Sequence, residues 1–508
     1  MYRSVFKNEI SRMVRETNHR QTGIVCTIGL NNSEDLIGEL LENGMNVMRV
    51  NCSHGDHNHH QKSIDNLRHC VAQSKDRQLK HVACLLDIRG PKIRTGMLEQ
   101  KEIEYVPGDR FRIKLVPTAE IPNHRGTHEK IYCDYLSFPK TVKIGGRILI
   151  DDGLMEVVCI GKGDNYVDVE VRNKAVLSER KGVLIPGESI DLPAVSDKDK
   201  HDLMFAARNG FDFVAASFIR KAEQVREVRN ILRGYGGDGI HIISKIENQE
   251  GLDNIDSIIE ESDGIMVARG DLGVELPPED IFAAQKMIIR KCNLKAKPVI
   301  TATQMLESMT NYPVPTRAEC TDVANAILDG TDCVMLSGET AKGKYPALTV
   351  KTMAKICRKA EEFVEYEADY VKLYEETQRP FNSGEMLAAS AVKIAYEMQA
   401  KVIFVVTETG QTARCVAKYR PPIPIICLTY NERVAKQITV SKGVFPWLLT
   451  EEDRTRTLDE ILPAAYKECI KNGYIDPKSG PQLGITLYDK NVWDNIEETT
   501  NLKLMYFD

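Results

Sequence analysis

The chain has 508 residues, 42% of them hydrophobic and 28% charged, and a formal net charge of -6. This is ordinary globular composition over a length too great for one compact core, so roughly two to four domains are expected. The mild acidity, with no long basic run, argues against a nucleic-acid partner, and thirteen cysteines without a CxxC pair argue against a disulfide framework or zinc ribbon.

The first residues, 1–22, read as an N-terminal arm. Arg3, Lys7, Arg12 and Arg15 alternate there with Glu9 and Glu16, and no apolar core suits a signal peptide. Short β-branched runs then recur with helical segments between them: Gly23 to Ile28, Asn46 to Val50, His81 to Asp87, Asp212 to Phe218, Gly239 to Ile243, Gly264 to Val267, Pro298 to Thr303 and Asp332 to Leu336. Connecting segments with helix-period apolar spacing, such as Asp35-Leu36-Ile37-Leu40-Leu41, suit parallel crossovers. Eight such units predict an α/β fold, a (β/α)8 TIM barrel over 23–90 and 193–365.

Between the third and fourth units, over 91–192, the pattern changes to strict alternation, clearest in Tyr166-Val167-Asp168-Val169-Glu170-Val171-Arg172. This predicts an inserted all-β domain at the strands' C-terminal face, placed to act as a lid. After Pro346 a long charged helix is expected to run through Glu361, Glu362 and Glu365. A C-terminal α/β domain over 366–508 follows, with strands at Val402 to Thr407, Pro424 to Thr429 and Gly443 to Leu449. No stretch approaches membrane-spanning length and the C-terminus carries no lipidation or peroxisomal address, so a cytoplasmic protein with no membrane partner is expected.

The predicted strand ends carry charged clusters where the barrel places catalysis. Lys245 and Glu247 stand two apart, so both side chains face one way, and Asp271 is expected to end the next strand. Two carboxylates beside a lysine suit Mg2+ or Mn2+ with positions left open for substrate oxygens; the alternative is a structural Lys245–Glu247 ion pair. Gly270-Asp271-Leu272-Gly273 offers backbone N–H groups at a helix start for a carboxylate or phosphate. Arg49, ahead of Asn51 and Ser53, is expected at the pocket mouth as a bidentate phosphate clamp, or else in a surface salt bridge. His54, His57, His59 and His60 match no zinc spacing and read as solvated helix residues, with His54 near enough to the strand end to touch a nucleotide.

Ser244-Lys245-Ile246-Glu247-Asn248, Met266 through Glu275, Ala302 through Met309 and Met335 through Ala341, in this order and with this insertion, resemble the pyruvate kinase family. The resemblance runs to about residue 440. It implies a phosphotransferase acting on phosphoenolpyruvate and ADP, dependent on Mg2+ or Mn2+ and usually a homotetramer. By position it implies that Lys245 stabilises the phosphoryl group in flight, that Glu247 and Asp271 hold the metal, and that Arg49 binds phosphate. It also implies that the Gly270 and Asp271 amides hold the substrate carboxylate, that Thr303 lies beside the enolate carbon, and that Ser337 and Glu339 form a proton relay behind it. Asn51, His54, Arg94 and Lys181 are implied nucleotide contacts.

Two departures from the family pattern modify these expectations. The monovalent-cation positions are Asn51, Ser53, Asp87 and the carbonyl of Ile88, but Lys92 stands where potassium-dependent members carry glutamate. Its ammonium is expected to replace the cation, making potassium unnecessary. The loop Thr407-Glu408-Thr409-Gly410-Gln411-Thr412 resembles the family's sugar-phosphate effector loop, yet Glu408 is acidic and the 478–508 tail lacks a glycine- and threonine-rich loop. Activation by fructose 1,6-bisphosphate is therefore not expected, which leaves another phosphorylated effector or none. Two rival readings of the same residues are a Mg-dependent oxo-acid lyase or aldolase, and a non-catalytic metabolite sensor.

Overall fold

The computed structural model describes residues 19–74, 78–478, 480–488 and 501–507. Most of the expected N-terminal arm and part of the C-terminal tail lie outside the described residues. Eight parallel strands close into a barrel: Gly23–Ile28, Val47–Asn51, Ala83–Asp87, Phe213–Ala216, His241–Ile246, Gly264–Ala268, Val299–Ala302 and Cys333–Leu336. The first pairs with the last, from Gly23 opposite Cys333 to Cys26 opposite Leu336.

Each strand is buried on both faces, which is why its sequence reads as a continuous apolar run. Ile24, Cys26, Met48 and Val267 belong to the outer core against the helices. Val25, Val47, Leu85, Ala215, Ile243, Met266 and Ile300 fill the barrel interior. Stepping by two from these interior residues toward the strands' C-terminal ends reaches Arg49 and Asn51, Asp87, Ser217, and Lys245 and Glu247. The strand period thus aims the polar residues at one end of the barrel.

Between the third and fourth barrel strands the chain leaves to form a seven-stranded sheet, running from Ile93–Arg94 through Gly182–Leu184 and Arg147–Ile150 to Lys130–Cys133, with its own core around Tyr105, Phe111 and Phe138. The Tyr166–Val171 strand alternates buried and partly exposed side chains as its sequence predicts. The exit bend requires glycine: Gly90 has φ +68°, and a Cβ there would lie 2.8 Å from the Ser217 Cβ.

The helix expected to run through Glu365 instead divides into Pro346–Glu361 and Tyr366–Glu376. Glu361 is 1% exposed, and its carboxylate turns inward to accept the backbone N–H groups of Gln21 and Thr22 and the Thr22 hydroxyl. The C-terminal sheet runs Val444–Leu448, Ile425–Thr429, Val402–Val406, Leu483–Tyr488 and Asn501–Tyr506, parallel except for the last pair. The Arg420 guanidinium joins this unit to the barrel through Asp332, at 2.6 Å.

Candidate active site

The C-terminal end of the barrel opens into a cleft of about 770 Å³, roofed by the inserted sheet. On its floor, Arg49 contacts Asp87 through Nη2 at 2.7 Å and Nε at 2.9 Å, and its Nη1 donates to the Thr27 hydroxyl at 2.7 Å. Lys245 Nζ lies 3.0 Å from Glu247 Oε1, 3.2 Å from Asp87 Oδ1 and 2.8 Å from the Ser217 hydroxyl. Arg49 is 6% exposed, so it belongs to the cleft floor, neither at the mouth nor in a surface salt bridge. The Lys245–Glu247 pair exists, but Lys245 divides its charge between two carboxylates.

That division decides the local acidities. Burial acts against the Lys245 charge, yet Asp87 and Glu247 together hold its pKa above the ordinary lysine value. Burial likewise acts against Asp87, where Lys245 and Arg49 prevail and lower its pKa. Glu247 goes the other way: burial raises its pKa, the shared Lys245 opposes this only in part, and the charge of Asp271 adds to the rise. The Phe218 N–H, on a residue with φ +56°, also donates to Glu247.

Asp271 does not end a strand. The strand stops at Ala268, and Asp271 stands in the first turn of the Arg269–Glu275 helix, where the helix dipole favours a carboxylate. It lines the same cleft as Glu247. Two oxygen donors of this kind, one of them buried and short of positive charge, fit a hard divalent cation that keeps open coordination positions.

Lys92 departs from expectation. Its ammonium lies 2.8 Å from Asp152 Oδ1 and 3.4 Å from Asp271 Oδ1, and not among the proposed monovalent ligands. Asp87 already holds two cations, whereas Asp152 and Asp271 draw the ammonium to the other side of the cleft. Asn51, Ser53 and His54 do line the cleft, as do Arg94 and Lys181, with Asn51 Oδ1 accepting the Ser53 N–H at 2.9 Å and Lys181 paired with Asp151 at 2.9 Å. Ile88 is buried, and its carbonyl accepts the Ser217 hydroxyl at 2.7 Å.

Thr303 lines the cleft in a strained backbone, with φ +72°, followed by Gln304 at φ +54°. A β-branched residue there costs about 1–3 kcal/mol, which its surroundings must offset. Arg269 does so by donating to the Thr303 carbonyl at 2.8 Å while paired with Asp322 at 2.8 Å. The Thr303 hydroxyl accepts the Gly270 N–H at 2.7 Å and donates to the Ala302 carbonyl at 2.6 Å. Glu339, fully buried, accepts from the backbone N–H groups of Ser337 and Leu306, and the Ser337 hydroxyl is buried without a partner. No hydrogen bond among the described residues links Thr303 to either.

The histidine cluster is not uniformly solvated. His57 bonds Asp202 at 2.7 Å and stacks on Phe205, and His59 bonds the Gly29 carbonyl at 2.8 Å. His60 is 3% exposed with neither ring nitrogen partnered, and burial lowers its pKa to about 4. Of these rings, His57 meets the barrel helix Asp197–Arg208 through Asp202 and Phe205 while its side chain stays 41% exposed. In the C-terminal unit, the Thr407 hydroxyl accepts the Gly410 N–H at 3.1 Å and the Thr409 hydroxyl accepts the Gln411 N–H at 3.3 Å. Glu408 and Thr412 complete that turn, with Gly410 at φ +76°.

Asp152, Ser217 and Phe218 are among the cleft residues that the sequence did not single out. Ser217 was recoverable, since it lies one strand period beyond interior Ala215. Asp152 was not, because it reaches the cleft only through the folding of the inserted sheet over the barrel.

Residues 19–350 match the family model described as pyruvate kinase, barrel domain, and residues 385–486 the one described as pyruvate kinase, alpha/beta domain. Pyruvate kinase 2 of Trypanosoma brucei brucei is 48% identical over 428 residues, 84% of each chain. The pyruvate kinase of Dictyostelium discoideum is 47% identical over 475 residues, 92% of each. The crystal structure of a pyruvate kinase from Cryptosporidium parvum superposes with a TM-score of 0.89 at 40% identity, covering 97% of both chains.

Proposed function

The chain belongs to the pyruvate kinase family of phosphotransferases, and on that premise we propose that it transfers the phosphoryl group of phosphoenolpyruvate to ADP, yielding pyruvate and ATP in cytoplasmic glycolysis. The observation that carries this reading is the meeting of Arg49, Lys245, Glu247, Asp271 and Thr303 around one roofed cleft. Phosphoryl transfer asks for positioning and charge neutralisation in a site closed to water, and this cleft supplies both.

In this reading Arg49 and Lys245 bind the phosphoryl oxygens, and Lys245 neutralises the charge that spreads over them during transfer. Glu247 and Asp271 would hold Mg2+ or Mn2+, which would supply Lewis-acid charge neutralisation for the substrate. The Gly270 and Asp271 amides receive the substrate carboxylate, which requires the Gly270 N–H to leave the Thr303 hydroxyl. To act on the methylene carbon to be protonated, that hydroxyl must also turn its hydrogen away from the Ala302 carbonyl. Ser337 and Glu339 serve as a relay through a water at the unpartnered Ser337 hydroxyl. Asn51, His54, Arg94 and Lys181 hold the nucleotide beneath the lid.

Potassium is not required in this reading. The Lys92 ammonium adds a positive charge to the cleft, and Arg49 and Lys245 already neutralise Asp87. Activation by fructose 1,6-bisphosphate is not expected at the Thr407 to Thr412 loop, where Glu408 is acidic, which leaves another phosphorylated effector or none. The working form is a homotetramer.

A single assay tests the whole reading: phosphoenolpyruvate, ADP and Mg2+, with and without potassium, across a panel of sugar phosphates. Pyruvate should form only with ADP present, at a rate unchanged by potassium and by fructose 1,6-bisphosphate. Pyruvate formed without ADP would point to the lyase alternative, absence of turnover to the sensor, and a strict potassium requirement would overturn the role given to Lys92.

A further inference from the structure

Lys92 leaves the bend after Gly90 and lays its stem across Gly182 of the inserted sheet, where a Cβ would come within 2.6 Å of the lysine Cε. Its ammonium then meets two carboxylates from different units, Asp152 at 2.8 Å and Asp271 at 3.4 Å, with the Phe218 ring 5.8 Å away. Asp152 stands in a tight turn where Asp151, Asp152 and Gly153 have φ of 57°, 52° and 90°. That turn rests on the barrel: a Cβ on Gly153 would lie 3.3 Å from the Val274 Cγ1. Burial acts against the Lys92 charge, but Asp271 and Asp152 outweigh it and raise its pKa.

An ammonium so placed sits against Asp271 Oδ1, one of the two oxygens from which that carboxylate would hold a divalent ion at about 2.0–2.6 Å. The two cations also repel across the small gap, and the ammonium has a second carboxylate to which it can retreat. We propose that Lys92 is a metal-sensitive strap, tying lid residue Asp152 to barrel residue Asp271 in the metal-free protein and yielding Asp271 to a divalent cation, so that metal occupancy and lid position are linked. The proposal rests on Glu247 and Asp271 being the metal ligands.

The test is Mn2+ binding to the full-length protein without substrates, read from the electron paramagnetic resonance signal of the free ion. Lys92→Met should tighten Mn2+ binding roughly fivefold or more, within the ordinary range of site-to-site coupling. Asp152→Asn should weaken it, because the displaced ammonium loses its retreat, and should have no effect in the Lys92→Met background. Small-angle scattering of metal-free Lys92→Met should show a larger radius of gyration than the parent, as the lid loses its tie. Equal weakening by Asp152→Asn in both backgrounds would reduce the effect to charge acting through space and overturn the strap, as would unchanged Mn2+ affinity in Lys92→Met. Mn2+ binding that survives Glu247→Gln undiminished would instead overturn the metal site, and the strap with it.

Discussion

Arg49 and Lys245 grip opposite oxygens of one buried carboxylate: Arg49 Nη2 lies 2.7 Å from Asp87 Oδ2 and Lys245 Nζ 3.2 Å from Asp87 Oδ1. Their spacing is therefore set by a rigid strand-end residue rather than by two long flexible stems. In the proposed reaction a phosphoryl group would meet both cations already positioned, so little entropy would be lost on binding.

Removing the Lys245 charge should separate binding from chemistry. Lys245→Met is expected to lower kcat about 10³-fold, on the scale of losing a preorganised charge donor at the transition state. Mn2+ binding should persist. Single-turnover kinetics and metal titration check both, and near-normal turnover would reject the role proposed for this residue.

The Thr303 hydroxyl holds the Gly270 N–H in a backbone conformation that a β-branched residue rarely adopts. Thr303→Val removes the hydroxyl while preserving the branch. Turnover should fall about 10²-fold with an altered pH profile, and Thr303→Ser should restore it. If Val and Ser behave alike, the hydroxyl takes no part in the protonation.

Asp212 is 4% exposed, with its carboxylate accepting the Cys84 N–H at 2.8 Å, and burial raises its pKa to about 6. A folded-state pKa above the unfolded one stabilises the fold below about pH 4, and that contribution is lost as pH rises through 6. Asp212→Asn should abolish this pH dependence, gaining on the parent by about 2–3 kcal/mol between pH 4 and 8. Denaturant melts at several pH values measure it, and parallel curves for the two proteins would show that Asp212 does not titrate in this range.

The Arg420–Asp332 pair is almost fully buried, with 6% and 5% of the side chains exposed, and Asp332 also accepts the Lys442 and Val299 N–H groups. Arg420→Met would strand that carboxylate between the barrel and the C-terminal sheet, costing about 3 kcal/mol. Thermal melting should show the loss. An unchanged transition would mean that the backbone donors alone satisfy Asp332.

The eight barrel strands were legible because their burial on both faces leaves uninterrupted apolar runs, and the inserted sheet because its one-sided burial leaves alternation. The strands Leu483–Tyr488 and Asn501–Tyr506 went unread, since each pairs with a partner far away or across the tail and carries no signal of its own. Among the histidines, His60 is 3% exposed where solvation was expected, and Asp202 and Lys198, which act on it electrostatically, lie far along the chain.

Residue order by itself determined the barrel, the inserted sheet, and which end of the strands carries charge, because a period of two or 3.6 residues is a local property of the backbone. Tertiary structure alone decided how that charge is shared: that Arg49 faces Asp87, that Asp271 rides on a helix turn, and that Lys92 reaches across to the lid. Coulomb interaction acts through space, so a cation's partner is whichever anion the fold brings within a few ångströms, whatever separates them along the chain.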